Sequence, residues 1–242
     1  MKTKLKDAIL HYFLVTVFLA LVLLFISRFA AGPLLKMYVE SGIGDCRKIP
    51  ILCMAPTQKI DHPEVSKEDV AEFVPYRFPA MAFFAPKGFT VVQELIKKVY
   101  YKKNRRLDNG AVIYVLTQAP GYFITLFPQV AKEGITDNYL FMKRMLHTKE
   151  SDIKDIYDAF FTIMKGVFIP DLGDQNGVVM LELSMPGMRG FVNYSIGGKG
   201  NYFDCNMIND KGVFFKLYIK DMGAKLDLAK VFAIISTLAE AK

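Results

Sequence analysis

The sequence has no tryptophan, only three histidines and only three cysteines. His11, His62 and His147 are scattered, so a histidine-based metal cluster is not expected. The patterns HExxH, C-x-x-C and C-x-x-C-H are missing, as are G-x-S-x-G, G-x-x-x-x-G-K-[ST] and G-x-G-x-x-G. These absences leave zincin, thioredoxin-type, haem, serine-hydrolase and nucleotide chemistry without their usual residues. No catalytic residue, metal ligand or cofactor is assigned from the motifs.

Three near misses have simpler readings. Gly197-Gly198-Lys199-Gly200 resembles a phosphate loop but joins two strand patterns and opens no helix, so it reads as a hairpin turn. Met185-Pro186-Gly187-Met188 pairs two thioethers, but two methionines without further soft ligands do not make a copper site. Asn193-Tyr194-Ser195 is a glycosylation sequon by pattern, yet it falls inside a strand pattern.

Formal charge is also missing from Ile9 to Ser27, a run of 19 residues. As a helix it is long enough for the roughly 30 Å hydrocarbon layer of a bilayer. A cleaved signal peptide has a shorter core and small residues at its exit, whereas Arg28 and Phe29 stand here. Cys46 and Cys53 follow Asp45 and Leu52, so neither fits a lipoprotein anchor. Lys2, Lys4 and Lys6 precede the run and place the N-terminus in the cytoplasm by the positive-inside bias. The expected organisation is a cytoplasmic tail at 1–8, a transmembrane helix at 9–31, a proline-rich extended arm at 32–79 and an extracytoplasmic α+β domain at 80–242. The compartment is the outer, periplasmic face of a bacterial-type inner membrane, and the lipid bilayer is the partner of residues 9–31.

The net charge is +7, but residues 1–31 account for +3 of it. Lys97, Lys98, Lys102, Lys103, Arg105 and Arg106 concentrate six positive charges, and everything else is slightly acidic. One basic spot on a near-neutral domain is not a nucleic-acid-binding surface. It reads either as a solvated tip or as a contact with lipid headgroups or an acidic partner.

Seven of the eleven prolines lie within 32–88, which predicts neither a long helix nor a central strand there. The apolar residues Ile49, Ile51, Leu52 and Met54 are expected to anchor this arm to a surface, on its own domain or on a partner. Cys46 and Cys53 enclose six residues of the arm, and on the oxidising side of a membrane they are candidates for a disulfide. A short helix at about Lys67–Phe73 with Ser66 as N-cap is expected.

From Ala80 the pattern is α+β: a strand at Met81–Ala85, then an ambiguous stretch at Thr90–Lys103 that fits a helix or a strand. The strand reading closes a hairpin through Leu107-Asp108-Asn109-Gly110 onto Ala111–Gln118. Helices are expected at Asn138–Leu146 and after Ser151, the latter ending at Gly166. A four-stranded antiparallel meander follows at Val178–Ser184, Gly190–Ile196, Tyr202–Ile208 and Val213–Lys220. A last helix, Leu228–Ala239, capped by Asp227, is expected to rest on the face formed by Val213, Phe215, Leu217 and Ile219. Cys205 reads as a core thiol.

The single anchor, the apolar arm and the lack of converging polar residues point to a non-enzymatic accessory or assembly subunit of a membrane-protein complex. The alternative is a tethered domain that binds a small apolar ligand or lipid between sheet and helices. An uncharacterised hydrolase is the more remote reading.

Overall fold

A computed structural model describes residues 15–24, 31–87, 89–93, 111–173, 177–197, 200–224 and 226–241. Among the described residues nine strands run in chain order: β1 (Gln58–Asp61), β2 (Phe73–Arg77), β3 (Ala82–Pro86), β4 (Thr90–Gln93), β5 (Ala111–Gln118), β6 (Val179–Met185), β7 (Met188–Ser195), β8 (Asn201–Asn209) and β9 (Phe214–Asp221). The helices are α1 (Ala31–Gly42), α2 (Lys67–Val70), α3 (Tyr122–Leu126), α4 (Asn138–His147), α5 (Ile156–Phe168) and α6 (Leu228–Ser236). Three 3-10 turns, at Pro50–Cys53, Pro128–Glu133 and Glu150–Asp152, join them.

Seven strands form one sheet in the order β1-β6-β7-β8-β9-β5-β4, and β2 with β3 makes a separate hairpin. The expected meander is its centre: β6 to β9 pair antiparallel in sequence, and β5 adds antiparallel to β9. The two edges differ from expectation, because β1 pairs parallel with β6 and β4 pairs parallel with β5. The sheet is therefore mixed. Parallel register also overturns the hairpin between β4 and β5, since a tight turn joins only antiparallel neighbours. Thr90–Gln93 is strand, and residues 94–110 lie outside the described residues.

Both faces of the sheet are covered. On β9, Phe215, Leu217 and Ile219 face a core shared with Val231, Phe232, Ile234 and Ile235 of α6 and with Met81, Phe83 and Ala85. The alternate residue Phe214 faces a second core with Phe123, Phe141, Phe161 and Phe191 under α3, α4 and α5. The C-terminal helix thus rests where strand alternation put it, with the Asp227 side chain accepting from the Lys230 N–H at 2.9 Å.

Two expectations about helices need correction. The helix after Ser151 is capped by Asp155, which accepts from the N–H groups of Tyr157 and Asp158, while Ser151 sits in a 3-10 turn. Gly166 does not end it. A Cβ there would meet Ile43 Cδ1 and Leu52 Cδ2 at 3.2 Å, so the glycine serves close packing inside the helix.

Residues 32–79 are not an extended arm, and the folded domain does not begin near residue 80. Pro33 falls in the first turn of α1, where its missing N–H is no loss, and no other proline follows until Pro50. Downstream, β1 joins the main sheet and the Pro50–Cys53 turn is built into the second core.

Among the described residues no helix is long and apolar enough to cross a membrane. Of the run from Ile9 to Ser27, only residues 15–24 are described, and they are helical. Ten residues at about 1.5 Å each cover roughly half a bilayer core.

Candidate functional site

α1 carries two apolar stripes. Leu35, Val39 and the following Ile43 pack on Ile153, Ala159 and Ile163. Leu34, Met37 and Tyr38, spaced i, i+3 and i+4, point away from the domain and are 54%, 64% and 67% exposed.

Between the stripes, Lys36 and Glu40 reach towards Glu150, which is 2% exposed in its 3-10 turn. One Glu150 oxygen, Oε2, accepts the Cys46 N–H at 2.8 Å and lies 2.8 Å from Cys46 Sγ. Lys36 Nζ stands 4.0 Å from the other oxygen. Burial, joined by the neighbouring Glu40 carboxyl, pushes the Glu150 pKa up, against the pull of the Cys46 N–H and Lys36.

Cys46 and Cys53 are joined by a disulfide with Cα atoms 5.5 Å apart, inside the ordinary range. Their sulfurs and the Glu150 carboxylate lie within 4.8 Å of one another. Bonded sulfurs carry no thiolate charge, so this arrangement is not a metal centre in the disulfide form.

The same loop is fastened from below by Lys165, which is fully buried on α5. Its ammonium donates to the carbonyls of Met54, Leu146 at 2.9 Å and Thr148 at 2.8 Å. Burial pushes its pKa down to about 7, while the three acceptors favour the charged form. The last two acceptors lie at the C-terminal end of α4, the negative end of the helix dipole.

Two further charged groups are buried against the sheet. Glu182 accepts the Tyr139 hydroxyl at 2.6 Å and has Lys143 Nζ and His147 Nε2 at 3.5 Å. Burial works to raise the Glu182 pKa, but the Tyr139 hydroxyl, the Lys143 ammonium and the His147 ring hold it below the usual carboxylate range. Burial and Glu182 together push Tyr139 up, so it donates a hydrogen bond and does not release its proton near neutral pH. Asp204 pairs with Lys216 at 2.9 Å and accepts from the side-chain amides of Asn193 and Asn206. Lys216 also donates to the Phe168 carbonyl, which ties β9 to the end of α5. These clusters clamp helices onto the sheet, and neither lines one of the cavities described below.

Of the residues expected to contact a partner, Ile51 and Leu52 are 3% and 0% exposed. Ile49 and Met54 pack on the same core. The four anchor the loop to its own domain, the first of the two alternatives, with Ile51 and Leu52 buried and Ile49 and Met54 partly buried. Lys97, Lys98, Lys102, Lys103, Arg105 and Arg106 lie outside the described residues. Asn193 of the sequon is fully buried. Met185 and Met188 line a cavity of about 130 Å³ with Phe215, Ile235 and Leu238. That is well below the roughly 300 Å³ of a small-molecule site. Beside it an open groove of about 380 Å³ is lined by Gly187, Asn209, Asp210, Lys211, Glu240 and Ala241.

Sequence reasoning missed Glu150, Glu40 and Lys165. Glu150 sits in Lys149-Glu150-Ser151, which reads as solvated surface. Lys165 left a usable signal, since it follows Phe161 by four residues on the buried stripe of α5.

Compared with known proteins, the chain matches no family model, no curated protein and no solved structure.

Proposed function

We propose that this protein is a membrane-anchored, non-enzymatic accessory or assembly subunit of a membrane-protein complex. Its N-terminus is cytoplasmic and its α+β domain lies on the outer face of the inner membrane. The observation that carries this reading is where exposed apolar surface falls. Of the sixteen large hydrophobic residues exposed among the described residues, seven lie in the helical stretch 15–24 and three on α1. Phe18, Leu21, Leu23 and Leu24 are each more than half exposed there, while the sheet buries both of its faces. A soluble domain does not keep such a stretch in water, where each Å² of apolar surface costs about 25 cal/mol. The uncharged run from Ile9 to Ser27 supplies the length for a span.

The arm at 49–54 no longer contributes to this reading, because it belongs to the domain core. Among the described residues, the outward stripe of α1, Leu34, Met37 and Tyr38, offers apolar surface to a partner beside the helical stretch 15–24.

The test is fractionation of native membranes followed by purification in mild detergent. The full-length protein should resist extraction by salt and alkali, deletion of residues 1–30 should release it, and a protein partner should co-purify in fixed ratio. Solubility of the full chain without detergent would refute the anchor, and a lone monomer in native membranes would refute the subunit role. A reporter active only in the cytoplasm, fused after Lys242, should be silent, and its activity would refute the topology.

A further inference from the structure

We propose that the Cys46–Cys53 disulfide is a redox-active pair that exchanges with dithiols, with Glu150 as its proton carrier. A link that only closes a six-residue loop has no need of an ionisable group at its sulfur. Here a carboxyl that is 2% exposed is held 2.8 Å from Cys46 Sγ, in a place where an unpaired charge is costly. The backbone N–H of Cys46 fixes the oxygen that faces the sulfur. The two sulfurs are unequal: Cys53 is exposed and Cys46 is half-buried, so an incoming thiolate meets Cys53 first.

The exchange balances as follows for a dithiol reductant. Its first thiol ionises and the thiolate attacks Cys53 Sγ. The Cys46–Cys53 bond breaks, its electron pair leaves on Cys46 Sγ, and the Glu150 carboxyl proton passes to that sulfur. The second thiol of the reductant ionises and closes on the first, which expels Cys53 as a thiolate. The two protons lost by the reductant restore Glu150 and protonate Cys53. Two electrons and two protons have then moved from the dithiol to the pair. In reverse, Glu150 accepts the Cys46 proton as the pair reduces a disulfide.

The surroundings suit a carboxyl that both holds and releases a proton. Glu40 and Lys36 face Glu150 from α1, and Arg47 and Asp45 stand on the loop. Lys149 and Asp152 flank it in its own turn, and Lys165 approaches from α5 at the Thr148 carbonyl. Burial and the Glu40 carboxyl favour the protonated form, in which Glu150 can act as a donor.

The experiment uses the full chain in mild detergent, with reduced dithiothreitol as the dithiol and oxidised glutathione for the reverse reaction. Thiols at Cys46 and Cys53 are counted by alkylation and mass spectrometry, which separates them from Cys205. The native pair should open under excess dithiol without unfolding. Glu150→Gln keeps an acceptor for the Cys46 N–H and should slow both directions at least about tenfold. Because Glu150→Gln could disturb the turn, Glu40→Gln is the second variant. It removes the neighbouring carboxyl and should move the inflection in the rate–pH profile to lower pH while leaving exchange intact. A disulfide that opens only after denaturation, or rates that are equal in wild type and Glu150→Gln at every pH, would overturn the proposal. So would a rate–pH profile that Glu40→Gln leaves unmoved. None of these outcomes depends on the membrane topology or on a partner.

Discussion

Replacing Lys165 by methionine tests how the disulfide loop is held to the domain. Methionine keeps the unbranched shape of the side chain and fills the same buried space, but it donates nothing. The carbonyls of Met54, Leu146 and Thr148 then lose their donor. At about 2 kcal/mol for each buried acceptor left unpaired, the gross loss is about 6 kcal/mol. Part of this is offset, because wild type also bears the cost of burying an amine. A lysine brought from 10.5 down to about 7 loses up to about 5 kcal/mol against its free form, at ~1.4 kcal/mol per pH unit. Near pH 7 the net destabilisation by Lys165→Met is therefore about 1–3 kcal/mol.

The sign with pH is fixed by proton linkage. The folded pKa lies below the unfolded one, so between about 7 and 10.5 the unfolded chain binds more protons at Lys165. That contribution to stability is complete above 10.5 and is lost as pH falls towards 7. Wild type should gain on the variant by ~1.4 kcal/mol per unit through that window, or about 3 kcal/mol between pH 7 and 9. Urea titrations of both proteins in mild detergent measure this difference. With no tryptophan in the chain, they are followed by circular dichroism. A gap that stays flat from pH 7 to 9, or a variant more stable than wild type at pH 9, would refute the reasoning.

Two further substitutions probe the two cores. Phe232→Ala on α6 removes a ring that is 6% exposed and should cost about 3–5 kcal/mol in a denaturant titration, whereas a loss under about 1 kcal/mol would mean that this face is open. Leu52→Ala should cost about 2–5 kcal/mol and make residues 46–54 sensitive to protease in the full-length protein, and unchanged stability and protection would detach the loop from the core assigned to it.

The elements that the sequence determined are those whose signals are local. The strands of the meander alternate apolar and polar residues between tight turns, so β6 to β9 were legible nearly to the residue. The start of the last helix was legible from an apolar stripe and an Asp N-cap, although it ends at Ser236 and not at Ala239, which bridges to Ala82. Its place on the sheet followed because only one face of β9 matched it. The spacing of Cys46 and Cys53 marked a pair that the structure joins.

What only tertiary structure decided depends on contacts between residues distant in sequence. Proline density in 32–79 could not say that an α-helix would run from Ala31 through Pro33 to Gly42, or that β1 would pair parallel with a strand some 120 residues later. Parallel pairing has no turn signature, because its partners are joined by long connections. The polar groups at the candidate site were hidden for the same reason. A lysine in a helix and a glutamate beside a lysine read as solvated charges, and nothing adjacent to them names their partners. Glu150 acquires its meaning from Cys46, 104 residues earlier, and Lys165 from Met54, 111 residues earlier. Burial of a charge is settled by what folds over it, and periodicity along one helix cannot supply that.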